Sequence, residues 1–324
     1  MKKMISIISG GAGFVGANLI PYLISENRHI VVIDNMSRGS REFLNNIKPS
    51  SDLSIFEGDS SNINFVDSVF LRAQSYGDIS EVWHLAANSD IPAGIADASV
   101  DLKDTFLTTF ALLEVMKRFK VGTLNFASSS AIYGDFGGIP IHEEIGPLLP
   151  ISNYGAMKLA SEALISAATE SYLDRANIFR FPNVVGIPAT HGVILDFVKK
   201  LIHTPQTLIV LGDGSQQKAY LHVSDLIEAM LLVRSVKPPK KIELVNIGPI
   251  DDGVTVRNIA KWVVERINPD ALIKYGEGSK GWVGDVSKFS YSTKHLQSYG
   301  WFPKLDSAGA VNKAINEIAL QLGQ

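Results

Sequence analysis

Cysteine is absent from this chain of 324 residues. Its absence excludes disulfides, thiolate metal ligands and a cysteine nucleophile, and it fits a reducing compartment, here taken to be the cytoplasm. Charge of one sign is scarce as well: 30 Lys and Arg stand against 33 Asp and Glu, a formal net charge of -3, with no dense basic block. Nucleic acid therefore has no electrostatic footprint to meet, whereas a phosphate-bearing small molecule needs only local donors. Long apolar runs are missing, and none approaches the ~20 residues of a membrane span. Met1–Ile8 imitates a short signal peptide, but the run stops at a glycine turn rather than a small-residue cleavage site and reads as a buried strand. His84, His142, His191 and His222 lack metal-ligand spacing, so no metal is expected.

What is present is apolar sequence in short pieces. Nearly half of the residues are hydrophobic, 46%, enough to bury a large core in one big domain or two coupled ones. Ile5–Ile8, Ile30–Ile33, Leu53–Phe56, Glu81–Leu85, Thr123–Ala127 and Asn177–Phe181 read as strands, with helical patterns between them. That alternation predicts an α/β fold with a doubly wound parallel sheet of the Rossmann kind. After Phe181 the regularity breaks into Pro182, Pro188, Pro205 and the turn Gly212-Asp213-Gly214. A domain over residues 1–181 is expected, with returning segments around 219–247, and a smaller, interleaved one over 182–324. Trp83, Trp262 and Trp301 read as packing residues and Asp251-Asp252 as a turn.

Ser9-Gly10-Gly11-Ala12-Gly13-Phe14-Val15-Gly16 follows the first strand and opens a helix. Gly10, Gly13 and Gly16 allow a tight turn and close backbone approach, and the helix N-terminus offers free N–H groups and partial positive charge to a pyrophosphate. Asp34 ends the second strand, where a carboxylate accepts from ribose hydroxyls and repels a 2′-phosphate, which favours NAD over NADP. Arg38 and Arg41 follow closely and leave a phosphate acceptable. Asp59-Ser60 sits where an adenine edge would lie, with Ser60 equally readable as a helix N-cap.

Ser128-Ser129-Ser130 follows the fifth strand, at the carboxyl edge where ligands of such sheets bind. Tyr154 and Lys158 are one helical turn apart and face the same way. A tyrosine is a poor base at neutral pH until positive charge, from Lys158 and a nicotinamide ring, favours its phenolate.

In these features, and in His84-Leu85-Ala86-Ala87, Ala127–Gly134, Tyr154–Lys158, Arg180–Gly186 and Leu221–Asp225, the chain resembles the extended short-chain dehydrogenase/reductase family, specifically its nucleotide-sugar epimerases of the UDP-glucose 4-epimerase type. The resemblance implies NAD as cofactor and Tyr154, Lys158 and Ser130 as catalytic residues. It implies that Lys158 also holds the nicotinamide ribose, that Phe14, Val15, Asn35, Leu85, Ala86, Ala87, Thr105 and Ser128 line the cofactor, and that Phe181 and Pro182 lie near the nicotinamide. For a nucleotide-sugar substrate it implies Ser89, Ser129, Ser130, Asn183, Val193, Lys218, Tyr220, Trp282 and Asp285. Relatives place arginines where this chain has Lys218 and Trp282, and often an asparagine at Thr105. Dehydratases of the family carry an acidic pair before the Tyr-Gly of the strand-five loop; Ala131 and Ile132 stand there, preceded by Ser130. A 4-epimerase is therefore the expected function, ahead of a C4 oxidoreductase, a decarboxylase or an NAD-sensing regulatory protein. The family also implies a homodimer through helices around Asp101–Phe119 and Tyr154–Tyr172.

Overall fold

The computed structural model describes residues 3–45, 47, 52–137, 139–237, 239–278 and 291–324. Trp282 and Asp285 lie outside the described residues.

Six strands alternate with helices through the first part of the chain: β1 (Lys3–Ser9), β2 (His29–Asp34), β3 (Leu53–Glu57), β4 (Gly77–His84), β5 (Thr123–Ala127) and β6 (Arg175–Arg180). With a late strand, Ile242–Asn246, they form one sheet in the order Ile242–Asn246, β6, β5, β4, β1, β2, β3. The pairings among β1–β6 are parallel. The fold is thus the doubly wound Rossmann-like α/β fold that the alternation of the sequence predicts. Strand order reverses at β1 and β4, which makes their carboxyl ends the place for a ligand.

Burial explains why these segments are strands. Ile5, Ile7, Ile8 and all of Ile30–Ile33 are fully buried, as a parallel sheet covered on both faces requires. Each such side chain contributes about 1.5–3 kcal/mol by leaving water. One core cluster gathers Ile5, Ile7, Val31 and Ile33 with Phe70, Leu112, Met116, Phe126 and Ile178.

By its own contacts the chain divides into two compact units. The first comprises Met1–Gly134, Leu148–Arg180 and Met230–Val245; the second comprises Asp135–Pro147, Phe181–Ala229 and Asn246–Gln324. The second has its own core, built by helices Val193–His203, Val256–Ile267 and Ser307–Gln321 around Val198, Leu208, Ile259, Val263 and Val311. It also contains three two-stranded pairings: Asn183–Val185 with Tyr220–His222, Gln217–Lys218 with Val254–Thr255, and Thr207–Val210 with Leu272–Tyr275.

Candidate active site

The helix Asn153–Thr169 carries the chemical residues of the first unit. Ser152 caps it, accepting from the Gly155 amide at 3.1 Å, which satisfies one of the orphan donors of the first turn. Gly155 lets that turn lie against the loop after β5, since a Cβ there would stand 2.3 Å from the Ala131 carbonyl oxygen. The helix and the end of β5 then meet residue by residue. Lys158 Nζ donates to the Ala127 carbonyl at 2.6 Å, the Ser128 hydroxyl donates to Glu162, and Ser129 hydrogen-bonds the Tyr154 phenol.

Lys158 is fully buried, its Nζ 4.7 Å from the Phe126 ring centroid and 5.9 Å from that of Tyr154. Burial lowers its pKa to about 7, with Glu162 opposing that fall. Burial raises Tyr154 to about 12; the Ser129 hydrogen bond works against the rise and the charge of Asp101 adds to it. An ammonium that releases its proton near neutrality therefore lies beside a phenol that still holds its own. Positive charge brought close to Tyr154 would move it toward the phenolate.

Beneath this pair His84, at the end of β4, is fully buried. Its Nε2 lies 2.9 Å from Thr109 Oγ1, which is 3.0 Å from Ser161 Oγ on the Tyr154 helix. Burial, then the charge of Lys158, holds its pKa well below the usual imidazole value, so the ring is neutral.

The turn after β1 is shaped for a dinucleotide. Gly10 has φ +76°, and a Cβ on it would lie 2.6 Å from the Ala86 amide nitrogen, so the turn packs directly on the loop after β4. Helix Phe14–Ser25 starts at Gly13 without a side-chain cap, whereas helices Ile63–Ala73, Asn153–Thr169 and Val256–Ile267 are capped by Asn62, Ser152 and Thr255. Its first-turn N–H groups are thus left to an external acceptor, which a pyrophosphate supplies. Asp34 is buried, and its two oxygens accept from the Ala12 and Met36 amides, each at 2.9 Å. Burial raises its pKa while those two amides hold it down. Arg38 is paired with Asp90 at 2.5 Å and Arg41 with Glu57 at 3.1 Å, so both nearby cations already have carboxylate partners. Among the described residues no group of acidic or histidine side chains could hold a metal ion.

A family model, the NAD dependent epimerase/dehydratase family, matches residues 6–248. The chain belongs to that family. NAD is accordingly its cofactor, and the uncapped helix behind Gly10 and the fixed Asp34 carboxylate fit it. The chain is 27% identical over 315 residues to a putative UDP-glucose 4-epimerase of Methanocaldococcus jannaschii, covering 96% of this chain and 97% of that one. It is 32% identical to a crystal structure of a UDP-galactose 4-epimerase, over 98% of this chain and 100% of that one, with a TM-score of 0.85. It is 25% identical to a Thermus thermophilus UDP-glucose 4-epimerase solved with NAD, over 97% and 99% of the two chains, with a TM-score of 0.84.

Within this epimerase/dehydratase fold the remaining expected residues separate. Asn35 and Ser89 are exposed, and Leu85, Ala86 and Ala87 are partly exposed behind β4. Asp59 accepts from the Ser61 amide and hydroxyl and pairs with Lys103 at 3.0 Å. Ser60 is buried and accepts from Ser9 Oγ at 3.2 Å; the cap of helix Ile63–Ala73 is Asn62, not Ser60. Thr105 is fully buried and accepts from the Asn88 amide at 3.2 Å. Ser128 is 1% exposed and its hydroxyl donates to Glu162. The serine hydrogen-bonded to Tyr154 is Ser129, while Ser130 opens the short 3-10 turn Ser130–Ile132 that Ser129 caps.

Phe181, Asn183, Val193, Lys218 and Tyr220 belong to the second unit. Asn183 pairs with Tyr220 in the parallel register of their strands, and Lys218 is opposite Val254. Glu162 escaped the sequence reading, although its spacing of four from Lys158 and eight from Tyr154 puts it on their face of the helix.

Proposed function

We propose that this protein is an NAD-dependent nucleotide-sugar 4-epimerase that works through a transient 4-keto sugar, with Tyr154 as the base. The observation that carries the reading is the fastening of Tyr154, Lys158 and Ser129 to the end of β5, in a loop whose Ser130, Ala131 and Ile132 supply no acid. Expelling a sugar hydroxyl needs a carboxylic acid at that place; moving one proton from an alcohol does not.

Tyr154, as phenolate, takes the proton of the C4 hydroxyl, and Ser129 donates to the oxygen that becomes the ketone. Lys158 holds the nicotinamide ribose and supplies the charge that favours the phenolate. NAD, held by these residues, would supply the acceptor and donor for the C4 hydride. Tyr154 then gives the proton back, so the residues end the cycle as they began. Gly10, Gly13, Phe14, Val15 and Gly16 hold the pyrophosphate, Asp34 and Asn35 the adenosine ribose, Asp59 and Ser60 the adenine, and Leu85, Ala86, Ala87, Thr105 and Phe181 line the rest. For the nucleotide sugar, the second unit offers Asn183, Val193, Lys218 and Tyr220, and the first unit offers Ser89 and Ser130. The UDP-sugar epimerases among the relatives support a UDP-sugar. The enzyme works in the cytoplasm as a homodimer.

Sugar nucleotide deuterated at C4 tests this. An epimerase yields product that keeps the label on C4. Deuterium delivered to C6 marks a dehydratase, deuterium accumulating on reduced cofactor marks a C4 oxidoreductase, and a product lighter by CO2 marks a decarboxylase; any of these overturns the reading.

A further inference from the structure

The loop that carries Ser129 is tied at both ends to one buried ion pair, which the chemistry above does not use. The loop leaves β5 at Ser128 and ends at Tyr133, after the short turn Ser130–Ile132. Bonds within it shape the turn: Ser129 Oγ accepts from the Ala131 amide at 3.1 Å, and the Ser130 carbonyl accepts from the Tyr133 amide at 3.2 Å. Such local bonds do not fix the turn against the helix that carries Tyr154.

Arg180, the last residue of β6, supplies that anchorage. Its Nε and Nη2 donate to the two carboxylate oxygens of Glu162 at 3.0 and 2.6 Å, and the two side chains are 5% and 6% exposed. At the near end of the loop the Ser128 hydroxyl donates to Glu162, and the Ser128 amide donates to the Phe179 carbonyl at 2.8 Å. At the far end Arg180 Nη1 donates to the hydroxyl of the buried Tyr133 at 2.9 Å, with the guanidinium 5.0 Å from the centre of its ring. One planar group therefore fixes three things relative to one another: the Tyr154 helix through Glu162, the start of the loop through the same carboxylate, and the end of the loop through Tyr133. A rigid fork of N–H donors can do this, and a lysine cannot reproduce it. Filling the space alone would be met by phenylalanine at 133; the hydroxyl adds a directional bond.

We propose that Arg180 and Tyr133 are positioning residues for the reaction, setting the loop Ser128–Tyr133 against the Tyr154 helix and so holding Ser129 on the Tyr154 phenol. The role rests on the epimerase reading for its purpose, though not for its measurement.

The test is a double-mutant cycle read by ¹³C-tyrosine NMR on the full chain with NAD bound, following through pH the Cζ resonance of Tyr154 assigned by its loss in Tyr154→Phe. No substrate is involved, so the result is independent of which reaction is catalysed; failure of the epimerase reading shows in the C4 deuterium instead. Ser129→Ala removes a hydrogen bond to the phenolate and should raise the Tyr154 midpoint by roughly one pH unit. Tyr133→Phe keeps the ring and removes one hydroxyl. It should raise the midpoint comparably on its own and leave it unmoved in Ser129→Ala, because both changes act through the same contact. Arg180→Lys keeps a cation beside Glu162 and loses the fork; it should behave alike, and it serves if Tyr133→Phe does not fold. The same cycle is expected in kcat with UDP-glucose, about tenfold down in each single variant and no lower in the double, with KM unchanged. A midpoint and kcat that neither variant moves, or that each moves as far in Ser129→Ala as in wild type, overturn the proposal.

Discussion

At the residue scale, burial moves two neighbouring side chains in opposite directions, each toward its neutral form. Lys158 is pulled down to about 7 and Tyr154 pushed up to about 12, both by burial first. Removing only the tyrosine oxygen in Tyr154→Phe should leave NAD bound and cut turnover by about 10²–10⁴, the range for one general acid–base group. Cofactor absorbance and steady-state rates measure both, and wild-type turnover would reject Tyr154 as the base. Lys158 also carries a stability cost whose pH dependence follows from its sign. Its folded pKa lies below its unfolded value of 10.5, so the unfolded chain binds the extra proton between about 7 and 10.5 and stability rises with pH across that window. Below it the lysine is protonated in both states and the cost is present in full. Lys158→Met should therefore stabilise the cofactor-free protein most below pH 7, on the order of 3 kcal/mol and visible as a higher melting temperature, and the gain should shrink by pH 10. A gain that does not vary with pH would mean that the burial of the ammonium is not its source.

At the scale of elements, the site depends on how closely one helix approaches one loop. Helix propensity alone favours alanine over glycine by about 1 kcal/mol. At Gly155 the added Cβ would lie 2.3 Å from the Ala131 carbonyl oxygen, so Gly155→Ala should destabilise the protein despite propensity, and should lower turnover by moving Tyr154 away from Ser129. Thermal melts and rates check both, and a stabilised, fully active variant would show that the helix does not need this approach. The strands were legible because continuous Val and Ile runs such as Ile30–Ile33 have few other places to go. The start of β4, Gly77-Asp78-Ile79-Ser80, was not, because it is polar and is held by pairing with Lys3–Ile5 rather than by its own pattern. The Tyr154 and Lys158 pair was legible from spacing. Which serine faces Tyr154 was not, since three identical residues in a row differ only in the direction each leaves the end of β5. The grip of Arg180 on Glu162, 18 residues apart, was not legible either, being a tertiary contact without a local signal. The short strands after Phe181 are two to four residues long, too short for a period to emerge.

At the scale of the whole molecule, the first unit leaves apolar surface on two adjoining helical segments. Thr109 meets Ser161 and the Tyr172 hydroxyl donates to the Leu113 carbonyl, so Leu102–Phe119 and Asn153–Tyr172 lie side by side. The apolar residues Leu102, Phe106, Phe110 and Leu113 of the first segment divide: Leu113 is 3% exposed and belongs to the core, whereas Leu102 is 44% and Phe110 39% exposed, with Leu107 at 37% beside them. On the neighbouring helix Ala156, Ala160, Ala163 and Ala167 recur at spacings of three and four, and Ala163 and Ala167 are exposed. A helix apolar on both faces is normally covered on both, and small alanines admit a second helix at close range. Two copies related by a two-fold axis would present the same pair of segments to each other and form a four-helix interface. Wild type should therefore scatter light as a dimer at micromolar concentration. Phe110→Asp, at a position already exposed in the single chain, should give a monomer with an unchanged circular dichroism spectrum. A wild-type monomer would reject the dimer, and a Phe110→Asp protein that stays dimeric would move its interface elsewhere; either leaves this apolar surface without an assigned role.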